Sequence, residues 1–522
     1  MGEKMSEQTL HSEKLIEKIM TYATTKQIVI GKDAIFQMSN NNYIDIINDA
    51  DEKGIFVINK DFVLEFLKEH PEIKETEELP QDHKIVTGQF PTEILKSIYI
   101  PAADNDSDLI IPKEEYISDK EKFKGDISDF QEYFLTRYKE LKKILMKHPN
   151  INPISSKALK FMKEGESVCL IGMVYEKRIS KKGNTVLTLD DLDGQFKVVI
   201  SPTSKLIGFE KLVIIEDVIS VKGRCFGNGM IFAEEIEYPG MTNRTMKKAN
   251  RNLNLLVTSD IHIGSKLYYD DMFKEFIEWL NCKNVSSVER EEINKIKYII
   301  FNGDCVDGIG VYPQQLTELN VIDIYEQYEI LANYLAQIPE YVEILILPGN
   351  HDAVRRADPQ PQISKDFAKG LYDLKNCHMI GSPAWAQIEG INVLAYHGNS
   401  MNTLQLQLKI DPTKPELAME QYLLRRDLSS VYGEKQPNIP DKKGIMLIKK
   451  EPDIFVTGHI HSNGYKYYNG CLAVNPGCWQ AQTVFQKEQG HIPTPGRVPI
   501  IQLNKGMYFE KVFNNGNPNI PL

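Results

Sequence analysis

The 522-residue sequence lacks any run of 18 apolar residues, so no membrane-spanning helix and no membrane partner are expected. Residues 1–18 are polar and charged, which does not read as a signal peptide. There is no C-x-x-C. The seven cysteines are scattered, as expected of reduced thiols in a cytosolic protein. Nor is there a surplus of positive charge. The formal net charge of −11 argues against a free-standing nucleic-acid binder, because phosphate contacts draw on Lys and Arg. Site metals and a basic partner would have to meet a phosphate backbone instead. What remains is a soluble globular composition with length for roughly two to four domains.

Residues 1–75 read as a small α-helical protein-interaction module. Leu15, Ile16, Ile19 and Met20, then Tyr43, Ile46 and Ile47, recur at helical spacing, and Phe62, Leu64, Phe66 and Leu67 precede a stop at Pro71. Residues 76–125 are acidic and Pro-punctuated, and predict a disordered linker. Residues 126–245 predict a helix over 130–148, ending before Pro149, and then an OB-like β-barrel. Its strands are expected at 167–175, 185–189, 195–200, 217–223 and 230–237, with Asp193-Gly194 as a hairpin turn. Lys177, Arg178, Lys181 and Lys182 would suit a strand-binding barrel, and a barrel that only mounts the next domain is the alternative. Arg244, Lys247, Lys248 and Arg251 form a basic connector, either near a phosphate backbone or simply solvated.

From 252 to 515 the pattern is α/β. Apolar strands end repeatedly in ligand-like residues: Asp260 and His262 after 253–257, Asp304 after 297–301, Asn350-His351-Asp352 after 342–347, His397 after 391–396, and His459 and His461 after 454–456. Open α/β sheets bind ligands at the carboxyl ends of their strands. Imidazole, carboxylate and amide oxygen together suit Mn²⁺, Zn²⁺ or Fe²⁺ better than Mg²⁺ or Ca²⁺, with Mn²⁺ expected. Two ions about 3.5–4 Å apart would hold a phosphodiester and activate a water.

The order D-x-H, G-D, G-N-H-D, H, G-H-x-H resembles the calcineurin-like metallophosphoesterases. That resemblance implies Asp260, His262 and His461 on one metal, Asn350, His397 and His459 on a second, and Asp304 bridging. It also implies His351 as an acid at the leaving oxygen, oriented by Asp352. Further motifs narrow the likeness: Ala353-Val354-Arg355-Arg356, Pro359-Gln360-Pro361, Asn475-Pro476-Gly477-Cys478-Trp479-Gln480 and Pro493-Thr494-Pro495-Gly496. With the layout of helical module, linker, barrel and phosphoesterase, these resemble the small subunits of archaeal family D DNA polymerase.

The resemblance implies a proofreading 3′-to-5′ exodeoxyribonuclease acting on single-stranded or mismatched primer ends. The implied partners are a large polymerase subunit, DNA and a sliding clamp, in a cytoplasmic, nucleoid-associated setting. Another dinuclear phosphoesterase and a non-catalytic assembly subunit are the alternatives. Arg355 and Arg356 are candidates to grip phosphate or to form structural ion pairs. Trp479 either stacks on a base or belongs to the core. Asn399 departs from the Arg carried after His-Gly in that family, which puts one phosphate contact in question. The partner surface is expected on the barrel, the phosphoesterase flank and residues 401–450.

Overall fold

The computed structural model describes residues 100–113, 116–117, 123 and 125–514, with Asn228 excepted, and short stretches before residue 100, chiefly 43–53 and 60–70. The chain divides into two compact units, residues 1–96 and 97–522.

In the first unit, Tyr43–Glu52 and Lys60–Glu69 are helices, burying Ile46, Ile47, Val63 and Phe66. The unit is not helical throughout. Val29–Ile30 pairs in parallel with Val57–Ile58. Leu15, Ile16 and Met20 lie outside the described residues.

The second unit begins with residues that had been expected in a linker, and this expectation is corrected from residue 100 onward. Pro101–Asp104 is a helical turn with Ala102 buried, and β1 (Leu109–Ile110) pairs with Gln387 and Ile388 at a sheet edge. An open sheet edge offers unpaired backbone groups that even two apolar residues can use. Tyr298 Oη accepts from Asp108 N (2.9 Å), and Arg251 donates to Asp106 O (2.7 Å). The remainder of the expected linker, 76–99, 114–115, 118–122 and 124, lies outside the described residues.

Helix α1 (Ile127–Leu145) is capped by Asp126, whose carboxylate accepts from Asp129 N (3.0 Å). Next come β2 (Ser167–Ile179), β3 (Thr185–Asp190), β4 (Gln195–Ile200), β5 (Val218–Cys225) and β6 (Met230–Glu237). They close into a barrel in the order β2-β3-β4-β6-β5, with only β4 and β6 parallel.

Two six-stranded sheets form the rest. The first contains β7 (Asn254–Thr258), β8 (Ile296–Asn302), β9 (Glu343–Leu347) and β10 (Cys377–Met379), all parallel, flanked beyond β7 by antiparallel β16 and β17 (Arg497–Gln502 and Met507–Val512). The second contains β11 (Ala384–Ile388), β12 (Ile391–Ala395), β13 (Ile454–Val456), β14 (Gly464–Tyr468) and β15 (Cys471–Asn475), in the order β1-β11-β12-β13-β15-β14.

Because each central strand is covered on both faces, its sequence is nearly continuous in apolar residues. One face of the first sheet, through Val257, Ile300 and Leu347, packs on Val393, Val456 and Val474 of the second. Its other face takes α2 (Asp270–Leu280) and α3 (Ile324–Leu335). The outer face of the second sheet takes α4 (Met401–Leu408) and α5 (Pro415–Arg425). Within this four-layered stack, β7, β8, β9, β12 and β13 present their carboxyl ends to the same loop cluster.

The barrel and α1 join this stack through buried charges. Arg137 on α1 meets Glu216 (2.5 Å) and Asp427 (2.5 Å), while Arg425 meets Asp217 (3.0 Å). Tyr238 donates to the other oxygen of Asp217 (2.7 Å).

Candidate metal centre

Seven side chains from these strand ends converge. Asp260, His262 and His461 bring their ligating atoms within 4.8 Å of one another, and so do Asp304, His397 and His459. The groups interlock. His461 Nε2 lies 3.4 Å from Asp260 Oδ1, His397 Nε2 lies 3.3 Å from Asp304 Oδ2, and His262 Nε2 lies 3.8 Å from that same Asp304 oxygen. Asn350 joins the second group, its Oδ1 2.8 Å from His459 Nδ1.

The backbone is bent to achieve this. Asp260 (φ 53°), His262 (58°), Asp304 (47°), His459 (69°) and His461 (62°) are all left-handed. Such conformations cost non-glycine residues about 1–3 kcal/mol each and gather where function over-determines geometry. Glycines admit the close approach. A Cβ at Gly349 would stand 2.2 Å from Asp304 Oδ1 and 2.7 Å from His397 Nε2, and one at Gly458 would stand 2.1 Å from Ser259 Oγ.

The donor set fits divalent ions. His397 Nε2 is buried without a hydrogen-bond partner, and His262 Nε2 faces His461 Nε2 at 3.1 Å. Two imidazole nitrogens aimed at one point suit a shared cation better than each other. Burial opposes ionisation of Asp304, yet the imidazoles of His397, His351 and His262 hold its carboxyl well below the usual range. Burial, helped by charge on His397, pushes His459 down to about 3, so it stays neutral and able to ligate. His397 is pushed up to about 9 against its burial by Asp304 and Asp260, carboxylates that an ion would share.

All four of these histidines have their other ring nitrogen held. His262 Nδ1 meets Asp307 Oδ1 (2.9 Å), His397 Nδ1 donates to Asn302 O (2.8 Å), and His461 Nδ1 meets Gln486 (2.7 Å). Partners of this kind fix tautomer and ring orientation. Asp307, Gln486 and Asn402, which meets His459 Nε2 (3.1 Å), were not anticipated from sequence. Asp307 alone left a signal, as a second aspartate three residues after Asp304.

His351 stands at the edge of the cluster. Its N–H donates to Asp304 Oδ1 (2.8 Å) and its ring Nδ1 to the carbonyl of Asp307 (2.8 Å). The expected pairing with Asp352 is not made. Adjacent residues point apart here, and Asp352 turns inward to accept from Gly349 N (2.8 Å), Cys305 N (3.3 Å) and Tyr328 Oη (3.0 Å). Burial and the nearby Asp304 push its carboxyl up to about 7. Asp352 therefore braces the loop, and Asp307 holds the histidine.

Arg355 donates to Pro359 O (3.2 and 3.1 Å), and Arg356 to the carbonyls of Gly310 and Val311, so both guanidiniums bind backbone beside the site. Trp479 is core. It is 1% exposed, packs on Phe273 and Phe276, and donates to Thr258 Oγ1 (2.7 Å). Asn399 is buried and donates to Asp358 Oδ1 (2.8 Å), a scaffold role. On the barrel, Lys177 is spent on the carbonyls of Glu210 and Val213, whereas Arg178, Lys181 and Lys182 are exposed. In the connector Arg244 and Arg251 are ion-paired, and Lys247 and Lys248 are exposed.

A family model described as calcineurin-like phosphoesterase matches residues 253–463. The DNA polymerase II small subunit of Methanocaldococcus jannaschii is 35% identical over 417 residues, covering 78% of this chain and 70% of that one. That of Methanothermobacter thermautotrophicus is 34% identical over 413 residues, covering 76% and 84%. That of Pyrococcus furiosus is 36% identical over 383 residues, where the match covers 72% of this chain but 62% of the relative, under two thirds of its length.

Proposed function

The chain belongs to the small subunits of family D DNA polymerase, those named DNA polymerase II small subunit, and from that membership we propose that it is their metal-dependent 3′-to-5′ exodeoxyribonuclease. The observation that carries the proposal is the intact, interlocked ligand set: Asp260, His262 and His461 beside Asn350, His397 and His459, with Asp304 between them. A non-catalytic assembly subunit would have no need to hold five strained residues around an orphaned imidazole nitrogen. Two divalent ions, Mn²⁺ on the donor set, supply Lewis acidity and a water nucleophile near neutral pH when bound.

The chain's own residues do the rest. Asp304 and Asp260 neutralise the centre that holds the scissile phosphate. His351, anchored through Nδ1 to Asp307, presents Nε2 to the departing 3′ oxygen and protonates it. The P–O3′ bond breaks, water oxygen joins phosphorus, and a nucleoside 5′-monophosphate is released. Arg355 and Arg356 act through the carbonyls they hold, shaping the loop around the phosphate. We read the barrel as OB type from its strand order and its parallel β4–β6 pair. A large polymerase subunit, and through it the clamp, would bring the primer end and the positive charge this chain lacks, in a cytoplasmic, nucleoid-associated complex. No helix among the described residues is long and apolar enough to cross a membrane.

The test is Mn²⁺-dependent digestion of a 3′-mismatched primer, with and without a large subunit, beside Asp304→Ala and His459→Ala. Stepwise loss from the 3′ end, abolished by both substitutions, is expected. Cleavage of a phosphopeptide but not of DNA would favour a different phosphoesterase. No metal-dependent cleavage of either by a folded, metal-loaded protein would favour assembly alone.

A further inference from the structure

Beside His351 lies a cleft of about 480 Å³. Ile309, Val311, Ile324, Val354 and Phe367 give it apolar wall surface, Asn350 and His351 line the end next to the ligand cluster, and Asp352, Arg355 and Arg356 complete a lining that is polar as much as apolar. Ile309 is 41% exposed, so its side chain is open to an occupant of the cleft. Phe367 stacks on Tyr325 at 5.6 Å and 24°, so its ring is held in a fixed plane. The cationic heads of Arg355 and Arg356 border the cleft, and both are engaged with backbone carbonyls. The result is a mixed cleft that offers one aromatic ring and aliphatic side chains to a base, with two guanidiniums at its border.

We propose that this cleft receives one unpaired nucleobase, that of the penultimate nucleotide of the strand being shortened. The inference rests on the exonuclease reading above and specifies its substrate. In 3′-to-5′ hydrolysis the departing oxygen belongs to the penultimate nucleotide, and the terminal one leaves as the monophosphate. His351 is the residue that meets the departing oxygen, and its Nδ1 is committed to Asp307, so the leaving-group side of the phosphate is the His351 side. The cleft opens there.

Its volume lies within the roughly 300–1,000 Å³ of small-molecule sites and suits a single nucleoside, not a base pair with its stacked neighbour. Aromatic and aliphatic walls accept any base by its π-face, so the slot is sequence-tolerant. A penultimate base can enter only if it is unpaired. The enzyme therefore engages ends with two frayed nucleotides and disfavours a lone terminal mismatch over a firmly paired penultimate base.

The experiment uses the complete subunit with Mn²⁺ and single-stranded oligonucleotides carrying one abasic residue, at either the penultimate or the terminal position. Removing the penultimate base is expected to lower kcat/KM about tenfold, the scale of one lost base stack, and removing the terminal base to lower it by less than about twofold. Phe367→Leu and Ile309→Ala, both mild enough to preserve folding, should narrow that difference. Equal sensitivity at the two positions, greater sensitivity at the terminal one, or a difference undiminished in both variants would overturn the assignment. Asp304→Ala separates the two levels: cleavage surviving that substitution would overturn the exonuclease reading itself, whatever the abasic series shows.

Discussion

Asp307→Asn is the perturbation whose outcome the structure defines most closely. Both carboxylate oxygens of Asp307 accept. Oδ1 takes His262 Nδ1 (2.9 Å) and Gln480 Nε2 (3.2 Å), and Oδ2 takes Gln315 Nε2 (2.8 Å). An asparagine of the same shape has one oxygen and one NH₂, so either orientation sets a donor against a donor. Turned one way it opposes Gln315; turned the other it opposes His262, whose tautomer would then be free to reverse and carry its proton on the nitrogen that should face the ion. Loss of such an outer partner typically costs 10–100-fold in metal affinity. The metal concentration giving half-maximal nuclease rate should therefore rise by about 10–100-fold, while the rate at saturating Mn²⁺ recovers most of the wild-type value. The assay is initial rate on a 3′-mismatched primer against free Mn²⁺, with thermal melting in chelator as the folding control. A titration superimposable on wild type would refute the orienting role. Inactivity at every metal concentration in a folded variant would place Asp307 in the chemistry itself.

Two other perturbations follow from the same geometry. Gly349→Ala drives a Cβ to 2.2 Å from Asp304 Oδ1, so it should abolish nuclease activity and metal-induced stabilisation in a still-folded protein; retention of either would mean that the loop can yield. Asp358, pushed up to about 7 by burial despite accepting from Asn399, Tyr396 and Gln436, holds a proton in the folded chain that the unfolded chain releases near 3.8. Stability in chelator should thus fall as pH climbs from about 4 to 7 and level off above, and Asp358→Asn should flatten that slope; melting curves across the window check it, and an unchanged slope would assign it to other groups.

The parts of the site that could be read from sequence are those written at strand ends. Asp260, Asp304, Asn350, His397 and His459 each follow an apolar run by one to three residues, so a linear pattern reports a three-dimensional cluster. Asp307, Gln486 and Asn402 come from loops and helices whose reach depends on turns no periodicity encodes. Asp352 shows the converse hazard. Its place beside His351 suggested a pair, but the turn sends the two side chains to opposite sides. The barrel strands were legible because Gly and Asn turns separate short apolar runs, and β4 and β6 keep their expected limits. β1 was not, since a Leu-Ile dipeptide among Asp and Pro carries no pattern until a sheet edge is there to receive it.

The ion pairs that join α1 and the barrel to the phosphoesterase layers set a limit on dissection. Arg137, Glu216 and Asp427 lie in three segments far apart in sequence, and Arg425 reaches Asp217 across a similar span. A fragment starting at residue 252 would keep the whole ligand cluster yet lose Arg137, Glu216 and Asp217, the residues that pair with Asp427 and Arg425 or with their partners, and would bare the face that α1 and the barrel cover. The metal centre thus stands on a foundation that starts more than a hundred residues before its first ligand, at α1.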